Sequence, residues 1–207
     1  MERSSLSTNS LSKRQEIVVA DTSVMINLHA TKHVAPLLTA FPMALVITDV
    51  VKRELGTDRR TGRDDRAIAD SLTKAGLLRT VTMGETAAQI FAGLVIGSGW
   101  DTLDDGEAST LAYAADCNLR PAIDERKALR LCQQKFPSLQ PVSTIELLLD
   151  PSVLDTLGAD LVADAVFQAL IEARMRVPPH WQQRVVELVG KGRASLCSSL
   201  PASVRQP

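Results

Sequence analysis

EIVVAD, residues 16–21, is a short β-branched run that ends in an aspartate. A continuous apolar run of this length, bounded by polar residues, predicts a strand buried on both faces, as in a parallel sheet covered by helices. Ligands of open parallel sheets bind beyond the carboxyl ends of the strands. Asp21 therefore stands at a candidate site, although capping the next helix explains it equally well when taken alone.

Reading outward, TSVMINLHATKHVAPLLTAF is helical material interrupted near Pro36, and ALVIT (residues 44–48) is a second strand. Thr48 or Asp49 caps the helix DVVKREL, which Gly56 stops. RRTGRDDR is a charged loop entering a helix around AIADSLTKAG; LLRTVTM reads as a strand and ETAAQIFAGLVIG as a helix. The Ala-rich helix after LDDGE reaches a left-handed end at Asn118. RPAID, ERKALRLCQQKF and LQPVST then read as strand, helix and a last short strand. Strands alternating with helices predict an α/β fold with a central parallel sheet flanked by helices. Beyond Asp150 the chain reads as helical, with a break at VPPH, residues 177–180. The expected organisation is a disordered leader (1–15), one α/β domain (16–150), a helical segment packing on it (151–193) and a flexible tail (194–207).

Composition narrows the function classes. Hydrophobic residues make up 45% and charged residues 23% of the chain, which is ordinary globular usage. A net charge of −1 announces no global basic field, and 3% aromatic content argues against base-stacking platforms. The three cysteines are odd in number and lack CxxC spacing, so they read as reduced thiols of a cytoplasmic protein. No run approaches a secretory signal or a membrane span.

Four segments carry carboxylates in positions that helix chemistry alone does not explain. Asp124 follows PAI as Asp21 follows IVVA, which puts two acids at strand ends of one sheet. Glu54 falls three after Val51 and four after Val50, within the apolar stripe of its helix, where a carboxylate is costly unless paired or holding a cation. A salt bridge to arginine is the alternative. Asp104, Asp105 and Glu107 crowd one helix start, more acids than capping requires; Glu107 is the better candidate and Asp105 the second. Carboxylates from separate segments sharing one pocket either raise their pKa values or neutralise themselves with divalent metal. All-oxygen ligation suits Mg²⁺ or Mn²⁺, and two such ions about 4 Å apart suit in-line displacement at phosphorus.

Other signals are absent or weak. IGSGW lacks both the GxGxxG fingerprint and the GK[ST] of a P-loop. His29 and His33 have metal-compatible spacing but no Glu or Cys near them in sequence, and read as surface residues. An α/β phosphatase of the haloacid-dehalogenase type would carry DxD where this chain has Asp21-Thr22-Ser23, and a receiver would need a late strand-end lysine.

In order, IVVADTSVMINL, ITDVVKREL, LDDGEASTLAYAAD and AIDERKALRL resemble the motifs of a PIN-domain protein, of the prokaryotic branch carrying GEA before its third helix. The resemblance is strong over residues 16–150 and fainter over the helical segment that follows. It implies a three-layer α/β fold and a Mg²⁺- or Mn²⁺-dependent ribonuclease, with an RNA substrate. It also implies the toxin of a toxin–antitoxin pair, hence an antitoxin partner and a homodimer. By motif, Asp21, Glu54, Glu107 and Asp124 match the family's acids. Thr22 and Ser23 match the hydroxyl residues after the first acid, and Glu125 the second member of the late acidic pair. Glu107 departs from the aspartate that common toxins place there. The alternative within this fold is a nucleic-acid-binding module without turnover. Cations expected to contact RNA phosphates are Arg59, Arg60, Arg63 and Arg66 in the charged loop, and Arg126, Lys127 and Arg130 after the late acid.

Overall fold

A computed structural model describes residues 16–97 and 100–205, so the expected leader lies outside the described residues, as does the centre of IGSGW. Four strands, β1 (Glu16–Ala20), β2 (Met43–Thr48), β3 (Arg79–Val81) and β4 (Arg120–Ala122), form one sheet in the order β3-β2-β1-β4. Every pairing is parallel, with Val18 opposite Leu45 and Ala20 opposite Ala122. Successive side chains of a strand face opposite ways, and the core divides accordingly. Val18, Ala20, Leu45 and Ile47 face one cluster, while Val19 and Val46 face the other with Leu111, Ile123 and Leu131. The three-layer α/β expectation holds.

The first helices are α1 (Thr22–Ala30), α2 (Val34–Ala40), α3 (Asp49–Glu54) and α4 (Asp65–Lys74). Next come α5 (Glu85–Val95), α6 (Asp105–Cys117), α7 (Arg126–Lys135) and α8 (Thr144–Leu148). The C-terminal part holds α9 (Pro151–Leu157), α10 (Ala159–Glu172), α11 (Pro179–Val189), α12 (Lys191–Ala194) and α13 (Ala202–Arg205). Thr48 caps α3 by accepting from the Val51 N–H (3.1 Å), and α6 ends at a left-handed Asn118. The helical break expected near Pro36 comes earlier, at Lys32 with φ 63°, and Pro36 sits in the first turn of α2, where its missing N–H is harmless. Gly56 does not stop α3; Leu55 turns extended one residue earlier. The expected last strand shrinks to a single parallel bridge between Ala122 and Val142, because Ser143 and Glu146 form a capping box that starts α8 at once.

Two further expectations change. His29 is not a surface residue: it is 2% exposed, and its Nδ1 lies 3.0 Å from Asp65. The stretch 194–207, read as a flexible tail, is anchored as far as Leu200, because Ala194, Cys197 and Leu200 are buried in the same cluster as β1. Val153, Val162, Val166 and Val185 of the C-terminal helices join that cluster too, so the C-terminal segment covers one face of the sheet. None of the helices among the described residues is long and apolar enough to cross a membrane.

Candidate active site

Strand β1 ends and α1 begins at Asp21, which is 2% exposed. Its carboxylate accepts hydrogen bonds from the Thr22 N–H and from the Ser23 hydroxyl (2.7 Å). The Asp21 N–H donates to the Ala122 carbonyl (3.1 Å), which pins this strand end against β4. Asp124, two residues beyond β4, is thereby brought beside it. Parallel pairing thus makes neighbours of two acids separated by about a hundred residues, and this is the geometry that the strand-end pattern implied.

Glu54 reaches the same place by another route. The short α3 stops at this residue, so the stripe defined by Val50 and Val51 does not carry Glu54 into the core, and the residue is exposed. The inward orientation expected from helical spacing is therefore corrected. Its side chain leans across the rim instead, accepting from the Thr22 hydroxyl (2.5 Å) and from the Gly106 N–H (2.8 Å). Gly106 leaves room for this contact. A Cβ there would meet Glu54 Oε2 and Thr22 Oγ1, both well under 3.0 Å away. An added Cβ here would push the Glu54 carboxylate or the Thr22 hydroxyl aside, a contact invisible without the fold.

Asp21, Glu54, Asp104 and Glu107, with Thr22 and Ser23, line one cavity of about 400 Å³. Asp105 is exposed and stands outside that lining, whereas Asp104, the residue before it, belongs to the lining. Asp104 is the extended N-cap and Asp105 the first helical residue, which places the former on the cavity side. Burial pushes the Asp21 carboxyl up to about 6, with the charges of Asp124 and Glu54 adding to the effect against the Ser23 and Thr22 hydrogen bonds. Burial likewise pushes Glu107 up to about 7, reinforced by the charges of Asp21 and Asp104 and opposed by the Asp104 N–H.

Asp124 is held differently. It accepts from Asn27 Nδ2 (2.7 Å), the Thr144 N–H (2.8 Å) and the Thr144 hydroxyl (2.5 Å), and burial still raises its pKa. Three donors occupy most of the acceptor capacity of one carboxylate. Asn27 and Thr144 escaped the sequence reading. Asn27 could have been noticed as a polar residue four after Ser23 on a mostly apolar helix. Thr144 is joined to the site only by tertiary contact. Glu125 is exposed at the N-cap of α7, and its charge is among those acting on Glu107.

The expected cations divide in two. Arg63 is bound to Asp65 (2.7 Å), Arg66 to the Leu55 carbonyl (3.1 Å), and Arg60 to the carbonyls of Ile171 and Glu172. Arg59 is exposed in the same loop. Arg126, Lys127 and Arg130 line a separate cavity of about 560 Å³ with Trp100 and Glu125.

Among the described residues no three Asp, Glu, His or Cys side chains converge closely enough to hold a metal ion as they stand. The Asp21 and Glu54 carboxylates are tied to protein donors instead. The donor chemistry of the acidic cavity nonetheless suits a hard divalent cation: four carboxylates line it with no histidine or cysteine. The raised pKa values of Asp21 and Glu107 mark negative charge that the protein leaves uncompensated.

No curated protein matches the chain. A family model described as a PIN domain matches residues 17–191, spanning the sheet, the acidic cavity and the C-terminal helices through α11. PIN domains are generally nucleases that use divalent metal ions, and this chain belongs to the PIN-domain family.

Proposed function

We propose that this protein is a divalent-metal-dependent endoribonuclease, hydrolysing RNA phosphodiester bonds at the cavity of Asp21, Glu54, Asp104 and Glu107, and that it acts in the cytoplasm as the toxin of a toxin–antitoxin pair. One observation carries the reading. Acids from β1, α3 and the start of α6 line a single cavity beyond the carboxyl ends of the sheet, and burial raises two of them without an arginine or lysine to balance them. Mg²⁺ or Mn²⁺ held there would activate water and offset charge developing at phosphorus.

The chain's own residues prepare that site. Ser23 holds the orientation of Asp21, and Thr22 with the Gly106 N–H holds Glu54 against the start of α6. Asp124, tied to Asn27 and Thr144, adds negative charge beside Asp21, and the β1–β4 pairing holds the two strand ends together. Asp105 is not needed in the ligand set of this reading. The antitoxin and a homodimer rest on the family resemblance.

The test is cleavage of a pool of structured and unstructured RNAs with Mn²⁺, with Mg²⁺ and with EDTA, beside Asp21→Asn. Metal-dependent cutting that the substitution removes supports the reading. The absence of both RNA cutting and Mn²⁺ binding by calorimetry would defeat it, leaving a PIN-fold binding module without turnover.

A further inference from the structure

Arg174, just past the end of α10, lines two cavities that each adjoin the acidic one. It lines one of about 480 Å³ with Glu54, Arg60 and Arg63, and another of about 150 Å³ with Ser23, Asn27, Asp124 and Arg176. The acidic cavity shares Glu54 with the first of these and Ser23 with the second. Arg174 therefore lines the cavities on both flanks of the acidic one.

Its backbone is unusual. Arg174 has φ 54°, in the left-handed region that glycine and asparagine adopt with least strain. The turn itself is needed, since the Met175 N–H returns to the Ala169 carbonyl (3.1 Å) and Met175 is buried. Nothing in that turn requires arginine. The neighbouring arginines are engaged in holding the fold: Arg63 by Asp65, Arg66 by the Leu55 carbonyl, Arg60 by the end of α10. Among the described residues no hydrogen bond or ion pair engages the Arg174 guanidinium, and the residue is exposed. A strained cation without an internal partner, beside a cavity of carboxylates, is suited to a ligand that brings its own negative charge.

We infer that Arg174 contacts a backbone phosphate of an RNA strand lying across the acidic cavity, between the Glu54 side and the Asp124 side. The guanidinium fork matches phosphate oxygens, and such a contact sets register without reading bases. This rests on the nuclease reading and adds to it a substrate-positioning residue from the C-terminal helical segment.

The experiment compares Arg174→Asn, Arg174→Gly and Arg174→Lys. RNA binding is read by anisotropy in an Asp21→Asn background with Mg²⁺, over a salt series, and cleavage and Tm are read in the otherwise wild-type protein. Asparagine and glycine both tolerate the turn, so Tm stays level or rises. Their affinity for a single-stranded RNA falls roughly fivefold or more, and the slope of log K against log salt becomes shallower by about 0.7. Arg174→Lys keeps most of the affinity. A wild-type protein that cleaves RNA, beside neutral variants with unchanged affinity and slope, overturns the Arg174 contact and leaves the nuclease intact. A folded wild-type protein that neither binds nor cleaves RNA overturns both.

Discussion

Asp21 and Asp65 are both buried aspartates, 2% and 3% exposed, and the protein treats them in opposite ways. Asp65 opens α4 between His29 Nδ1 (3.0 Å) and the Arg63 guanidinium (2.7 Å). Burial would raise its pKa, but those partners outweigh burial and hold it below the usual carboxylate range. Asp21 receives only the Thr22 N–H and the Ser23 hydroxyl, and it faces other carboxylates, so burial prevails. A buried acid whose charge is balanced belongs to the fold; one whose charge is left over belongs to a site that completes it from outside.

Substitution at the two positions should separate these roles. Asp21→Asn is expected to lower metal-dependent RNA cleavage by more than about 100-fold, measured as initial rates, while the protein stays folded. Asp65→Ala should do the reverse. Leaving His29 and Arg63 without their anion should lower stability by about 3 kcal/mol in urea denaturation, with cleavage per folded molecule retained. An Asp65 variant that is stable but inactive would break the comparison.

The pH dependence should also run in opposite directions. A carboxyl raised in the fold binds its proton more tightly folded than unfolded, so its contribution is complete below the unfolded value and lost as pH rises through the folded one. Asp21, raised from 3.8 to about 6, and Glu107, raised from 4.5 to about 7, should make the metal-free protein less stable at pH 8 than at pH 5. The expected difference is about 2 kcal/mol, read from Tm or urea midpoints. Mn²⁺ should shrink it, because a cation takes the place of the proton. Asp65, lowered in the fold, contributes fully above its unfolded value and loses that contribution only on further acidification, so Asp65→Ala should leave the decline between pH 5 and pH 8 unchanged and remove part of the acid-side loss of stability below about pH 4.

The smallest effect sharpens the geometry. Gly106→Ala places a methyl group against Glu54 and Thr22 and should cost about 1 kcal/mol of stability. Its effect on cleavage should be larger than that loss implies, since Glu54 is the group displaced. An alanine variant of full activity would show that the hold on Glu54 is dispensable.

Much of this was legible in the chain. Apolar runs ending in Asp21 and before Asp124 determined two strands and placed both acids at their carboxyl ends, because a strand buried on both faces declares itself by composition. Thr48 announced its cap and Asn118 its left-handed turn, since both act within a few residues of themselves. Glu54 was found for a reason that failed: helical periodicity aimed it inward, and the helix ended before periodicity could apply. The place of Asp104 in the cavity lining, the contact of Gly106 with Glu54, the triple hold on Asp124, the burial of His29 and the place of Arg174 were decided by tertiary structure alone. Each depends on groups distant in sequence meeting across the sheet's edge. Local chemistry determines where a chain turns and which face it buries; whether a buried charge finds a partner is settled only when the layers close over it.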